Sequence, residues 1–234
     1  MTTIVFPGQG SQFIGMSKDF YDNFNVSKET FEIIEDSTKI NLKKIIFEND
    51  KDLLNITQYT QISIFCASMA IFNVLKNLLN EKGITINFML GHSLGEYSAL
   101  AASNVFSLAD CSKLLKIRGE LMQNAYKENE SGMAAVIGIE CSKLENIILD
   151  NKIDIEIAND NSPSQVVVSG IKKNLADSEN ILLKNGAKKF IPLNVSAAFH
   201  SKIMKDSENK LKEFLESVDF NKPICSIISN YSGK

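Results

Sequence analysis

A chain of 234 residues, 44% apolar and 23% charged, has the size and composition of one large domain, or a large one with a small companion, and a disordered chain is excluded. Its net charge of −3 argues against nucleic acid as the principal ligand, because phosphate binding needs a basic face. No apolar run reaches the roughly 18 residues of a membrane span, the start Met1-Thr2-Thr3-Ile4 lacks the pattern of a signal peptide, and Cys66, Cys111, Cys141 and Cys225 are spaced too widely for a zinc cluster or a disulfide framework, so a cytoplasmic, thiol-reduced protein is the expectation.

In chain order, residues 4–6 form a short apolar strand that stops at Pro7 and opens into the turn-prone loop Gly8-Gln9-Gly10-Ser11-Gln12. Helical periodicity follows over 28–38 and, more strongly, over 60–79, where the apolar surface is wide enough to be mostly buried. Residues 84–90 read as a buried strand ended by Gly91, with a helix over 96–103 directly after it. Ser107-Leu108-Ala109-Asp110 resembles a capping box and starts a helix that carries Arg118 and runs to about Ala125. Alternating apolar strands and helices predict a parallel sheet covered by helices.

The texture changes at a polar linker over 127–131. Beyond it come a strand (132–139), a helix (142–149), strands over 153–158 and 164–169, a helix (172–184) and a strand (188–194). That order is the β-α-β-β-α-β of a ferredoxin-like unit, with the turn formers Asn159-Asp160-Asn161-Ser162-Pro163 at its centre. The expected fold is therefore α/β: an α/β-hydrolase-like large domain over 1–126 and 197–234, with an inserted ferredoxin-like small domain over 127–196. A helix over 204–216 and a strand over 224–229 close the chain.

Gly91-His92-Ser93-Leu94-Gly95 is a G-x-S-x-G pattern between a predicted strand and a predicted helix, the context of a nucleophile elbow. The turn holds the Ser93 hydroxyl out, and the amide of Leu94 at the helix N-terminus faces any oxyanion that forms. The plainer alternative is a glycine-bounded turn with an idle serine. Only His92 and His200 can supply an imidazole base. His92 is the poorer candidate, since neighbours on a tight turn project apart, so His200 in Ala197-Ala198-Phe199-His200-Ser201 is favoured over a merely packed histidine. No third carboxylate stands out, which leaves a Ser-His dyad. The Gly8 loop lacks the spacing and lysine of a phosphate cradle, and it can instead offer the Gln9 amide as a second oxyanion donor or be a plain turn. Arg118 is the single arginine among 25 basic residues, which hints at a position where lysine fails, such as bidentate carboxylate recognition. Met122, one helical turn on, fills a core gap or lines the same pocket. The lysine pairs Lys172-Lys173 and Lys188-Lys189 read as solvated faces, with an acidic protein partner as the sharper alternative.

Together these stretches resemble the malonyl-CoA:acyl carrier protein transacylase family of type II fatty acid synthesis and related acyltransferase domains. The resemblance rests on residues 6–12, Thr60-Gln61, Gly91-His92-Ser93-Leu94-Gly95-Glu96-Tyr97-Ser98, Arg118-Gly119 with Met122, residues 132–135, Asn161-Ser162-Pro163 with 165–167, and 195–204, in the family's order over nearly the whole chain. It implies that Ser93 is acylated with His200 as base, that the amides of Gln9 and Leu94 form the oxyanion hole, and that Arg118 pairs with the malonyl carboxylate. His92, Asn161, Gln61 and Met122 would line the site, and Phe199 would mark malonyl selectivity. The implied reaction moves malonyl from coenzyme A to Ser93 and then to the phosphopantetheine thiol of acyl carrier protein, in ping-pong order. No cofactor is implied, the coenzyme A thioester being substrate, nor any metal, and the chain is expected to act as a monomer away from membranes and nucleic acid. Family members continue past the position of Lys234, and part of that tail orients the catalytic histidine. The alternatives are a serine esterase or thioesterase of α/β-hydrolase type, and an inactive scaffold that binds the carrier protein.

Overall fold

The computed structural model describes residues 1–126 and 130–234, so most of the expected linker lies outside the described residues. The chain divides into two compact units, Met1–Glu120 with Leu211–Lys234, and Leu121–Lys210.

In the first unit, strands β1 (Thr3–Phe6), β2 (Phe88–Gly91) and β7 (Ser226–Ile227) form a parallel sheet in the order β1-β2-β7. Its register sets Phe6 opposite Gly91, so the two strands that feed the candidate site end on the same rung. Around the sheet lie α1 (Lys18–Asn23), α2 (Asn25–Thr38), α3 (Thr57–Glu81), α4 (Leu94–Ala102) and the first part of α5 (Leu108–Gln123). The chain leaves this unit within α5 and re-enters it within α8 (Lys205–Glu216). Between α2 and α3 run a π-helical turn (Lys44–Glu48) and a 3-10 stretch (Asp50–Asn55) that periodicity alone does not announce.

Every residue of α3 from Thr60 to Ala70 is buried. By length and composition α3 is the one helix among the described residues that qualifies as a membrane span, yet its burial is that of a core helix. Phe65, Ile62, Ile64 and Met69 from α3 join Phe6, Phe31, Met89 and Leu94 in one core. Gly119 of α5 lets two helices approach closely, since a Cβ there would lie 2.9 Å from the Cα of Gln58. Strand β2 starts later than the apolar run, because Ile84 N–H still closes the end of α3 on Leu79 C=O at 2.9 Å. Strand β7 is likewise shorter than 224–229, as Ile224 N–H is bound to Ser103 C=O at 3.0 Å.

The second unit contains β3 (Ser131–Ile137), α6 (Cys141–Asp150), β4 (Glu156–Ser162), β5 (Gln165–Ile171), α7 (Lys172–Lys184) and β6 (Lys189–Pro192). The antiparallel order β4-β5-β3-β6 is that of the ferredoxin-like split unit. Strand alternation separates two apolar layers. Ala134, Val136, Val166 and Val168 pack with Leu144, Leu175 and Leu182 of the helices. Met133, Ala135 and Val167 face the other way and are covered by Met122, Ala197 and Phe199. That second layer explains why the compact unit runs from 121 to 210 rather than from 127 to 196. The flanking segments carry the residues that bury the sheet's other face, and Ser207 Oγ donates to Leu121 C=O at 2.9 Å.

The turn expected over 159–163 falls instead at residues 163–164. Strand β4 continues to Ser162, with Asn159, Asp160 and Ser162 paired to Val167, Val166 and Gln165, and two bulges interrupt it: Ala158 between pairs Ile157–Val168 and Asn159–Val167, and Asn161 between Asp160–Val166 and Ser162–Gln165. A bulge leaves one residue unpaired, here Ala158 and Asn161, and such irregularity is tolerated because β4 is an edge strand.

Candidate active site

Ser93 has φ 53° and ψ −106°, a left-handed backbone that costs an ordinary residue about 1–3 kcal/mol and persists only where its surroundings enforce it. Glycines make the turn possible. A Cβ on Gly91 would land on the backbone of Gly95, and one on Gly95 would land on the carbonyl oxygen of Phe6. His92 N–H donates to Phe6 C=O at 3.1 Å, while Gly95 N–H returns to His92 C=O at 2.9 Å. On the far side, Ser93 N–H donates to Asn230 Oδ1 at 2.7 Å, and Asn230 Nδ2 donates to Gly91 C=O at 2.5 Å. Leu94 is buried as the first residue of α4, so its N–H has no intrahelical acceptor and points at the helix mouth.

The nucleophile candidate has a cation against it. Arg118 Nη2 donates to Ser93 Oγ at 3.0 Å, and Nη1 donates to Gln61 Oε1. Its guanidinium lies over the ring of Tyr97, 5.4 Å from the centroid. Only 9% of Arg118 is exposed, and burial pulls its pKa down from the usual arginine value, with Tyr97 opposing that shift. Burial likewise pushes the Tyr97 phenol up, so it stays neutral beside the cation. Among the described residues no carboxylate forms an ion pair with Arg118. Glu96 acts on the guanidinium without reaching ion-pair contact, so the buried cation is suited to an anion brought by a ligand.

The loop after β1 lies against the elbow. A Cβ on Gly8 would sit 2.6 Å from both Nδ1 and the carbonyl oxygen of His92, so only glycine permits the approach that brings Gln9 alongside. Ser11 Oγ donates to Gly8 C=O at 2.8 Å, and Gln9 Nε2 donates to Thr57 Oγ1 at 3.2 Å, which fixes the loop. His92 itself is exposed.

The remaining candidates belong to the second unit. His200 has φ 56° and is exposed, in a loop held from several strands. Ala198 N–H donates to Ser131 Oγ at 3.1 Å, Ser169 Oγ donates to Phe199 C=O, and Lys202 N–H donates to Glu156 Oε2 at 3.0 Å. Lys202 Nζ also pairs with Asp154 at 2.8 Å and holds that carboxyl below its usual range. Phe199 and Met122 share one apolar cluster. Asn161 occupies the exposed bulge of β4. The structure thus gathers Ser93, Leu94, Gln9, Gln61, His92 and Arg118 in one unit, and His200, Phe199, Met122 and Asn161 in the other.

Three contributions escape sequence reasoning. Tyr97 is inside the quoted motif but carries no signal of its own, whereas Asn230 and the Ser131–Ser169 pair act through backbone groups that no spacing rule connects to Ser93 or His200. Among the described residues no group of three or more His, Cys, Asp or Glu is arranged to hold a metal ion.

Known proteins resemble this chain over nearly its whole length. The acyl transferase domain family matches residues 3–234. The malonyl CoA-acyl carrier protein transacylase of Bacillus subtilis (strain 168) is 38% identical over 231 residues, covering 97% of this chain and 72% of the relative. A solved acyl-carrier-protein-S-malonyltransferase from Bartonella henselae superposes with a TM-score of 0.92 at 40% identity, over 100% of this chain and 76% of its own. A malonyl-transacylase solved in complex with its type II PKS acyl-carrier protein gives a TM-score of 0.92 at 34% identity, over 100% of this chain and 75% of its own.

Proposed function

The chain belongs to the acyl transferase domain family, and from that membership we propose that it moves a malonyl group from malonyl-CoA to the phosphopantetheine thiol of acyl carrier protein, in the cytoplasm, as the step that loads fatty acid synthesis. The observation that carries the reading is the hydrogen bond from buried Arg118 to Ser93 Oγ, a cation stationed beside the nucleophile of the elbow. The free carboxylate of a malonyl group fits that guanidinium, and its thioester carbonyl then lies within reach of the hydroxyl. A bidentate arginine–carboxylate pair fixes orientation as well as charge.

In this mechanism Ser93 Oγ attacks the thioester carbonyl and gives its proton to His200. The amides of Gln9 and Leu94 hold the tetrahedral oxyanion, and the positive end of α4 adds to their field. Collapse breaks the C–S bond, and the departing coenzyme A thiolate takes the proton back from His200. The thiol of the carrier protein then delivers its proton to His200 and attacks the acyl-serine. That second collapse frees Ser93 Oγ, which recovers the proton. Gln61 and Tyr97 hold Arg118 in place, while Phe199, Met122, His92 and Asn161 shape the acyl site.

Incubation with labelled malonyl-CoA is expected to leave one malonyl group on Ser93, and Ser93→Ala to leave none. A folded wild-type protein that takes up no label defeats the reading. Partition of the malonyl-enzyme separates transfer from hydrolysis: the expected outcome is rapid loss of label to the carrier-protein thiol and slow loss to water.

A further inference from the structure

The parallel ladder between β2 and β7 advances in steps of two. Ser226 N–H donates to Asn87 C=O at 3.2 Å, and Ile228 N–H donates to Met89 C=O at 3.0 Å. The next rung of a regular ladder would join the peptide N–H of residue 230 to Gly91 C=O, and its carbonyl to Ser93 N–H. The chain does not supply that rung. Strand β7 ends at Ile227, and the N–H of Asn230 turns instead to Glu96 Oε1 at 3.3 Å. The side chain of Asn230 occupies the vacated position, with Nδ2 donating to Gly91 C=O and Oδ1 accepting from Ser93 N–H. A carboxamide carries the same donor and acceptor as a peptide group, so the ladder extends by one rung past the backbone bond of Ile228 and into the elbow.

We propose that Asn230 is a positioning residue for the nucleophile: its carboxamide replaces a missing peptide rung and so holds Ser93 in the left-handed backbone that aims Oγ. The inference rests on the reading of Ser93 as the acylated residue. The elbow is gripped from β1 through His92 and Phe6 and from α4 through Gly95, and Asn230 supplies the grip from the β7 side. Ser93 stays where Arg118 and the amides of Gln9 and Leu94 require it only while its own N–H remains tied. Aspartate is the informative replacement. Ionised, it keeps an acceptor for Ser93 N–H but turns a lone pair toward Gly91 C=O. Protonated, it regains the donor and reproduces the carboxamide pattern.

The test measures the rate at which malonyl-CoA labels Ser93 in the whole chain, for wild type, Asn230→Ala and Asn230→Asp, with thermal unfolding recorded alongside. For Asn230→Ala the rate at saturating malonyl-CoA is expected to fall about 10- to 100-fold, the scale of a nucleophile misplaced by about an ångström, with half-saturation nearly unchanged because Arg118 is untouched. For Asn230→Asp the rate relative to wild type at the same pH is expected to climb as pH falls from about 7.5 to about 5, through the carboxyl range. An alanine variant as fast as wild type overturns the role, as does an aspartate-to-wild-type ratio that is flat with pH. Should the alanine variant not fold, the aspartate ratio decides alone. A wild type without label overturns the nucleophile reading and the role of Asn230 with it, whereas a labelled wild type with unimpaired variants overturns Asn230 alone.

Discussion

Arg118 occupies a demanding position, because one guanidinium serves Gln61 and Ser93 at once from a nearly dry setting. Arg118→Ala is therefore expected to lower malonyl transfer about 100-fold or more while changing acetyl transfer far less, since only malonyl brings a carboxylate to the vacated place. Parallel measurement of kcat/KM for both thioesters checks this, and equal losses would remove the arginine from its role. Arg118→Lys should not restore malonyl transfer, because an ammonium cannot present two divergent N–H groups to Gln61 and Ser93 from one plane. The pH dependence follows from Tyr97. Burial raises its phenol pKa, so no phenolate forms to neutralise Arg118 at neutral or mildly alkaline pH. The malonyl-to-acetyl preference should be flat from about pH 6 to about pH 9, and a decline inside that window would show the Arg118–Tyr97 pair losing its net positive charge. Ser93 and Arg118 stand out in the sequence because a rigid turn and a solitary arginine leave marks in the letters. Asn230 leaves none: its partners are backbone groups 137 and 139 residues away, and any asparagine near the end of a strand looks the same.

Among the elements, glycine contacts set the tolerances. Gly95→Ala would drive a methyl group into the carbonyl of Phe6, so the loss falls on the strand-turn-helix junction and not merely on the serine. We expect it to lower stability by about 1–3 kcal/mol and to abolish Ser93 labelling, as read by thermal unfolding and by mass. The thiols report on packing in a different way. Cys66 in α3 and Cys111 in α5 are fully buried, and desolvation raises both thiols far above their ordinary range. A soluble thiol reagent should modify the half-buried Cys141 and Cys225 in the native protein and reach Cys66 and Cys111 only after unfolding. Fast modification of all four would contradict the packing. The alternating strands over 131–137 and 165–171 and the long apolar helix α3 were legible because period and burial agree there. Strand β4 was not, since it carries turn-forming residues inside a ladder, and the late start of β2 was hidden because an apolar run looks alike as strand or as helix cap.

At the scale of the molecule, two cores imply two cooperative units. Leu144 is fully buried among the strand and helix residues of the Leu121–Lys210 unit. Leu144→Ala should cost that unit about 2–5 kcal/mol and accelerate amide exchange in β3 and β5, while the α3 amides of the other unit keep their protection. Uniform acceleration across both units would mean a single cooperative core. The ferredoxin-like order could be read from the alternation of elements, but its edges could not. Residues 121–126 and 197–210 look like parts of the larger unit until Met122, Ala197 and Phe199 are seen covering the back of the small sheet.

The pairing of Phe6 with Gly91 carries one further consequence. The two segments that carry Gln9 and Leu94, the oxyanion donors of the proposed mechanism, spring from a single level of the sheet, although most of the first unit's sequence intervenes between them. Within that interval the exposed part of the connection between α2 and α3 can lengthen without detuning the chemistry, whereas the Gln9 loop and α3, which carries Thr57 and Gln61, cannot. The irregular bend around Asn49, Lys51 and Asp52, already in left-handed conformations, is the natural place to graft a foreign peptide or a tag. The same economy leaves the enzyme brittle elsewhere, because one residue deleted from either strand would slide the two halves out of alignment.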